Sequence, residues 1–148
     1  MRMRWLPALL MLGCAWVGCL RADLKPALAE PNLGKRSKLA LDNAAAALRA
    51  AREAYGKGDN QKTAAAIEEI RQSVDLAYDS LMQTGKNPRS SPRWFKPAEM
   101  ATRDLSKKLD TFQQDMDFAD RAMLDQVKAR VQQVHEELLL GLMEGKRK

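Results

Sequence analysis

The sequence predicts an all-α protein, an antiparallel up-down four-helix bundle made of two helical hairpins that follows an N-terminal signal segment. Three observations support this prediction. Apolar residues recur at alternating spacings of three and four along residues 37–143, as on amphipathic helices. Glycines, prolines and aspartates occur where these stretches end. The first 22 residues have the composition of an export signal.

The N-terminal segment combines a short basic region with an apolar run. Two arginines precede the run, which extends over residues 5–20 and ends close to the small residue Ala22. The run has about 16 residues, whereas a helix that spans a bilayer needs about 20. We therefore expect a signal peptide over residues 1–22 and a mature chain exported to the periplasm or secreted. A cut after Ala29 and an uncleaved N-terminal anchor are the alternatives.

Both cysteines of the chain, Cys14 and Cys19, lie in this segment, and each follows a glycine. The Gly-Cys pairs resemble the lipoprotein box of bacterial lipoproteins. The resemblance implies cleavage before one of these cysteines, its lipidation, and a membrane-anchored protein of the cell envelope. A cut downstream of Cys19 leaves no cysteine, which excludes disulfides and thiol chemistry in the mature chain.

The charge of the mature chain is modest. Removing residues 1–22 takes away three arginines and lowers the formal net charge from +6 to +3. A charge of this size does not by itself indicate a nucleic-acid partner, and we expect none.

The first predicted hairpin follows a tether. Residues 23–36 contain two prolines and a glycine without a helical period, and are therefore expected to be flexible. Helices are expected at about residues 37–56 and 59–84, because Ser37 and Asp59 suit N-caps and Gly85 suits a helix end. The two apolar stripes consist of Leu41, Ala44, Leu48, Ala51 and Tyr55, and of Ile67, Ile70, Val74, Ala77 and Leu81.

The second predicted hairpin has helices at about residues 97–116 and 119–143, followed by a basic tail at 144–148. Pro97 suits the first position of a helix. The apolar stripes are Ala101, Leu105, Leu109, Phe112 and Met116, and then Leu124, Val127, Val131, Val134 and Leu138. A single continuous helix is the alternative. The second stripe resumes one residue late, however, which favours a break between Asp115 and Asp120.

The turn of the first hairpin carries a family resemblance. Ala54-Tyr55-Gly56-Lys57-Gly58-Asp59-Asn60, followed by Ala64 to Ala66, resembles the turn of a tetratricopeptide unit over residues 48–78. The resemblance implies a hairpin that binds peptides or proteins rather than a catalyst. The chain departs from the family pattern at Ile70, where a small residue is expected, and residues 97–148 contain no second copy.

Residues for catalysis and for metal binding are scarce. His135 is the only histidine, and it is expected at the solvent edge of its helix. Asp115, Asp117 and Asp120 lack the glycine and distal glutamate of a calcium loop and are expected to cap helices. Without a nucleophile constellation or a phosphate-binding loop, the sequence predicts no enzyme, no metal site and no cofactor.

The loop over residues 86–96 is the strongest candidate for an interaction surface. It contains four basic residues and no acid, next to two large aromatic residues. Cations beside aromatic rings suit anionic partners. The predicted contact residues are Arg89, Arg93, Trp94, Phe95 and Lys96.

Two functions are compatible with these observations. The sequence favours a non-catalytic exported protein that mediates protein–protein or envelope-surface contacts. Its partner would be a protein or an anionic envelope surface, and its only membrane attachment the signal or a lipid anchor. A broad apolar face near the C-terminus would suit a homodimer. The alternative is a ligand- or metal-binding bundle, for which the sequence offers few buried polar groups.

Overall fold

The computed structural model describes residues 22–144, and within that range the chain is helical without a β-strand. The elements are α1 (Lys25–Ala29), α2 (Leu33–Gly56), α3 (Asn60–Gln83), α4 (Pro92–Asp115), a 3₁₀ segment (Phe118–Leu124) and α5 (Asp125–Glu144). The four long helices pack around one apolar core, which confirms the predicted all-α bundle. Residues 1–21, with Cys14 and Cys19, and residues 145–148 lie outside the described range.

The two hairpins lie side by side and point in the same direction. Helices α2 and α4 are parallel neighbours, because Arg52 contacts Asp115 near their ends and Gly34 approaches Trp94 near their beginnings. Helix α3 lies beside α5, and the Arg130–Asp75 ion pair joins them. Each long helix therefore has one antiparallel and one parallel neighbour, and residues 84–91 cross one end of the bundle diagonally.

The α2–α3 hairpin is packed through small residues. The side chains that α2 buries are mostly alanine, and α3 buries serine and threonine as well as Ile and Val. Short side chains let two helix backbones approach closely. The buried Asn43 amide spans this seam, and its nitrogen donates hydrogen bonds to Ser73 Oγ (3.0 Å) and Glu69 Oε1 (2.9 Å), so both of its N–H groups have a partner.

The predicted apolar stripes of α3 and α5 are buried in full, and those of α2 and α4 in large part. In α2 and α4, Leu41, Tyr55 and Ala101 are only half-buried. The period of three and four therefore identified the core, because the side chains of a helix face one partner only at that spacing.

The segment predicted as a flexible tether, residues 23–36, is instead packed on the bundle. It contains α1 and the first turn of α2, and Ala27 is buried in a cluster with Ala40 and Ala77. Helix α2 begins four residues before Ser37 because Asn32 is its N-cap and accepts a hydrogen bond from Lys35 N at 3.0 Å. Ser37 is buried rather than terminal.

Helix α4 begins at Pro92 rather than at the predicted Pro97. Pro92 occupies the first turn, where a missing N–H costs no helical hydrogen bond. Pro97 lies inside the helix, where the donor that Arg93 loses and the clash of the proline ring together cost about 3 kcal/mol. The earlier start buries Phe95, which contributes about 1.5–3 kcal/mol. The burial of Phe95 therefore offsets much of the cost of Pro97.

A break separates the helices of the second hairpin, so they do not form one continuous rod. Met116 and Asp117 adopt extended backbone angles, and the 3₁₀ segment then leads into α5. Within the part of the chain that the structure describes, none of the helices has the length and hydropathy needed to cross a membrane.

Candidate interaction surface

The loop between α3 and α4 is held by local contacts. Gly85 ends α3 with a φ of +67°, a conformation that favours glycine. Asn87 Oδ1 accepts a hydrogen bond from Arg89 N at 3.0 Å, and the Asn87 carbonyl accepts one from Ser91 N at 2.9 Å. Pro88 is buried and lies close to Gly141 of α5. These contacts give the basic residues that follow a defined position.

The five predicted contact residues separate into two groups. Arg89 lies in the loop and Arg93 and Lys96 lie in the first turns of α4, and all three are exposed. Trp94 is half-buried against Gly34, and Phe95 is fully buried in the core. The prediction that Phe95 contacts a partner is therefore wrong. Because α4 begins at Pro92, residues 93–96 form about one turn of the helix, and their side chains point in different directions around it. At least one of these side chains therefore faces the core.

The basic residues of this region are not neutralised by acids. Among residues 22–144, no carboxylate forms an ion pair with Lys86, Arg89, Arg93 or Lys96. Two of them lie against the indole of Trp94, with Lys86 Nζ 5.0 Å and Arg93 Cζ 5.8 Å from a ring centroid. Trp94 thus positions two cations while their charge stays available to an anionic partner.

A shallow and mostly apolar depression lies beside these cations. It is lined by Pro92, Arg93, Lys96, Pro97 and Met100, and the Met100 side chain is 48% exposed. We call Arg89 together with these five residues the basic surface. The basic surface combines positive charge with exposed apolar side chains. Its six residues include no acid, no nucleophile and no metal ligand.

The sequence did not identify a buried polar pair between α4 and α5. Glu99 is buried, and its Oε1 atom lies 3.6 Å from His135 Nδ1 and 3.9 Å from Arg103 Nε. His135 Nδ1 is buried and has no hydrogen-bond partner within the described residues. The His135 side chain is only 13% exposed, so it is not the solvent-edge residue that was expected. Glu99 lies four residues after Phe95, a spacing that places both on the inner face.

The three aspartates at the second turn do not act as predicted. Asp115 forms an ion pair with Arg52 at 2.6 Å, and Asp120 accepts a hydrogen bond from the Tyr55 hydroxyl at 3.0 Å. Asp117 is the N-cap residue of the 3₁₀ segment, but its side chain accepts no capping hydrogen bond within the described range. The expectation of capping is therefore wrong for Asp117, and the other two carboxylates join the hairpins.

The described residues contain no group of three or more His, Cys, Asp and Glu side chains that could hold a metal ion. Comparison of the chain with family models, with curated proteins and with solved structures found no match in any of the three.

Proposed function

We propose that this chain is a non-catalytic exported helical protein that mediates protein–protein or envelope-surface contacts through the basic surface. The observation that carries the proposal is the set of cations without acidic partners around an exposed apolar depression. A protein surface normally disperses its charges and pairs many of them, and a local excess favours an anionic partner. The export part of the proposal depends on the sequence of residues 1–22.

The arrangement of the hairpins also supports a binding role. Helical repeat proteins stack helix pairs in the same direction and bind partners along the resulting surface. Parallel stacking of helix pairs also occurs between tetratricopeptide units, and residues 48–78 resemble the turn of such a unit. Helices α2 and α3 each have 24 residues, which is long for such a unit, and Ile70 remains a departure.

The proposal can be tested by photo-crosslinking in the cells that make the protein. A photoreactive residue in place of Met100 is expected to give a crosslinked product, and the Arg89→Glu/Arg93→Glu variant is expected to lose most of it. The same residue in place of Ala65, which is exposed on α3, is the control and is expected to give none. Equal products from both positions, or a product that the double variant does not affect, would contradict the proposal.

A further inference from the structure

Exposed apolar side chains lie at the same end of the bundle as the basic surface. Helices α4 and α5 are antiparallel, and Pro88 lies close to Gly141, so the last turns of α5 lie beside the basic surface. In those turns Leu140 is 52% exposed and Met143 is 67% exposed. We call the basic surface together with residues 139–143 the basic end.

The opposite end of the bundle differs in the pairing of its charges. Arg52 is ion-paired with Asp115, Lys57 with Glu53 and Lys62 with Asp59, while Arg121 donates hydrogen bonds to the backbone carbonyls of Met116 and Gln114. Phe118 is 88% exposed there, but it follows directly after Asp117 and only Arg121 lies over its ring. Among residues 22–144, the bundle therefore has one end where Arg89, Arg93 and Lys96 have no acidic partner and aliphatic side chains are exposed, and another end where most cations are ion-paired.

We infer that the basic end rests against an anionic lipid surface, an inference that depends on the proposed function and names its partner. Arg89, Arg93 and Lys96 would contact the head groups, while Leu140 and Met143 would enter the boundary between head groups and acyl chains. Binding at the surface of an anionic bilayer requires basic residues, which attract the head groups, and exposed apolar side chains, which enter the bilayer.

The shape of the basic end favours a lipid surface over a protein partner. Its exposed apolar residues are distributed over α4 and α5, and the depression on α4 is shallow. A peptide or helix normally binds in a groove that surrounds its side chains. A bilayer needs no matching groove, since its head groups and acyl chains rearrange around the protein surface that meets them.

Glu136 and Glu137 of α5 form no ion pair with Arg89, Arg93 or Lys96 within residues 22–144. They lie before the exposed leucines, and each accepts a hydrogen bond from a glutamine side chain of α5. Helix α5 therefore contributes apolar area to the basic end, while the free positive charge comes from α4 and the preceding loop.

The test is co-sedimentation of the purified, full-length exported protein with phosphatidylcholine vesicles, with and without phosphatidylglycerol. We expect binding only to the anionic vesicles, with an affinity that falls as salt is added. Arg89→Glu/Arg93→Glu is expected to weaken this binding at least about tenfold. Leu140→Ser/Met143→Ser is expected to weaken it several-fold at unchanged charge.

Two matched control variants distinguish binding by the basic end from a general effect of net charge or of exposed apolar area. Arg49→Glu/Lys107→Glu makes the same change in net charge at exposed residues away from the basic end, and Phe118→Ser removes an exposed apolar side chain at the opposite end. Both are expected to retain binding. Circular dichroism of every variant checks the fold.

Absence of binding to anionic vesicles, or equal loss in the Arg49→Glu/Lys107→Glu variant, would overturn the inference. Binding to phosphatidylcholine alone at the same strength would also overturn it. If vesicles do not bind while Met100 still crosslinks to a protein in cells, the lipid surface is wrong and the proposed contact function stands. If neither occurs, both are wrong.

Discussion

The hydroxyl oxygen of Tyr55 accepts a hydrogen bond from the backbone N–H of Asp117 at 2.9 Å. The same hydroxyl donates to Asp120 Oδ2 at 3.0 Å, and the ring meets Phe112 edge to face at 5.9 Å between centroids. Tyr55 lies in the last turn of α2, so this one side chain joins the turns of both hairpins. It thereby stabilises the parallel arrangement of α2 and α4.

The Tyr55→Phe variant tests the hydrogen bonds of this contact. The ring packing on Phe112 remains, while the Asp117 N–H loses its acceptor and the Asp120 carboxylate loses its donor. We expect a decrease of about 1–2 kcal/mol in the free energy of unfolding, measured by urea denaturation with an unchanged slope. An unchanged free energy would mean that water replaces both hydrogen bonds without cost.

Gly34 and Trp94 provide a test of close packing between α2 and α4. A Cβ atom at Gly34 would overlap the indole, with Trp94 Cε3 only 2.7 Å away. Gly34→Ala is therefore expected to displace Trp94 and to lower the free energy of unfolding by about 1–3 kcal/mol. A chain without residues 1–22 has Trp94 as its only tryptophan, so its fluorescence reports the displacement directly.

Gly56→Ala is the matched control for this substitution. Gly56 is also helical, and nothing lies within 4 Å of a Cβ atom placed there. Alanine has the higher helix propensity, so we expect no change or a gain of up to about 1 kcal/mol. A loss of similar size in both variants would show that contact with Trp94 is not the cause.

The extent to which the sequence predicted the fold can be seen in α2 and α4. The stripes that include Leu48 in α2 and Leu105 and Leu109 in α4 were visible because large apolar residues recur at helical spacing. The start of α2 was not visible, because Gly34 packs closely against Trp94 and Ser37 is buried although neither residue is hydrophobic. The two prolines of α4 each suit a helix start, and only the tertiary burial of Phe95 decides between them.

The arrangement of the hairpins and the Glu99–His135 pair were beyond sequence reasoning for a different reason. A short turn determines that its two helices are antiparallel, but it does not determine how one hairpin packs on the next. A charged residue such as Glu99 is normally assigned to the surface. Arg93 and Lys96 were identified correctly as exposed cations although they lie in α4 and not in a loop, since an excess of charge along a short segment is visible in the sequence itself.

The Glu99–His135 pair predicts strongly non-additive substitutions. His135→Leu leaves the buried Glu99 carboxylate with Arg103 Nε, 3.9 Å from Oε1, as its nearest polar partner, and is expected to cost about 1–3 kcal/mol. Glu99→Leu/His135→Leu removes both polar groups and is expected to be less destabilised than the sum of the single variants by about 1 kcal/mol or more. Additive losses in urea denaturation would show that the two side chains do not interact.

The raised pKa of Tyr78 predicts that the free energy of unfolding decreases at alkaline pH. Burial and, to a smaller extent, the hydrogen bond with the nearby Glu137 carboxylate and its charge raise the pKa of Tyr78 from 10.0 to about 12. Between these values the unfolded chain has lost a proton that the folded chain retains, so the free energy of unfolding falls as pH rises. Tyr78→Phe is expected to remove this part of the fall in urea denaturation across that range. The same fall in both proteins would contradict the assignment.

Helix α1 lies close in the chain to the predicted sites of signal cleavage. Ala27 is buried against Ala40 and Ala77, whereas Ala29 on the same helix is exposed. Ala27→Glu is therefore expected to cost about 1–3 kcal/mol, and Ala29→Glu less than about 0.5 kcal/mol. A cut after Ala29 would remove α1 and uncover Ala40 and Ala77, so we expect the mature chain to begin no later than Asp23. Mass spectrometry of the mature N-terminus checks this, and an N-terminus at Glu30 would show that α1 is dispensable.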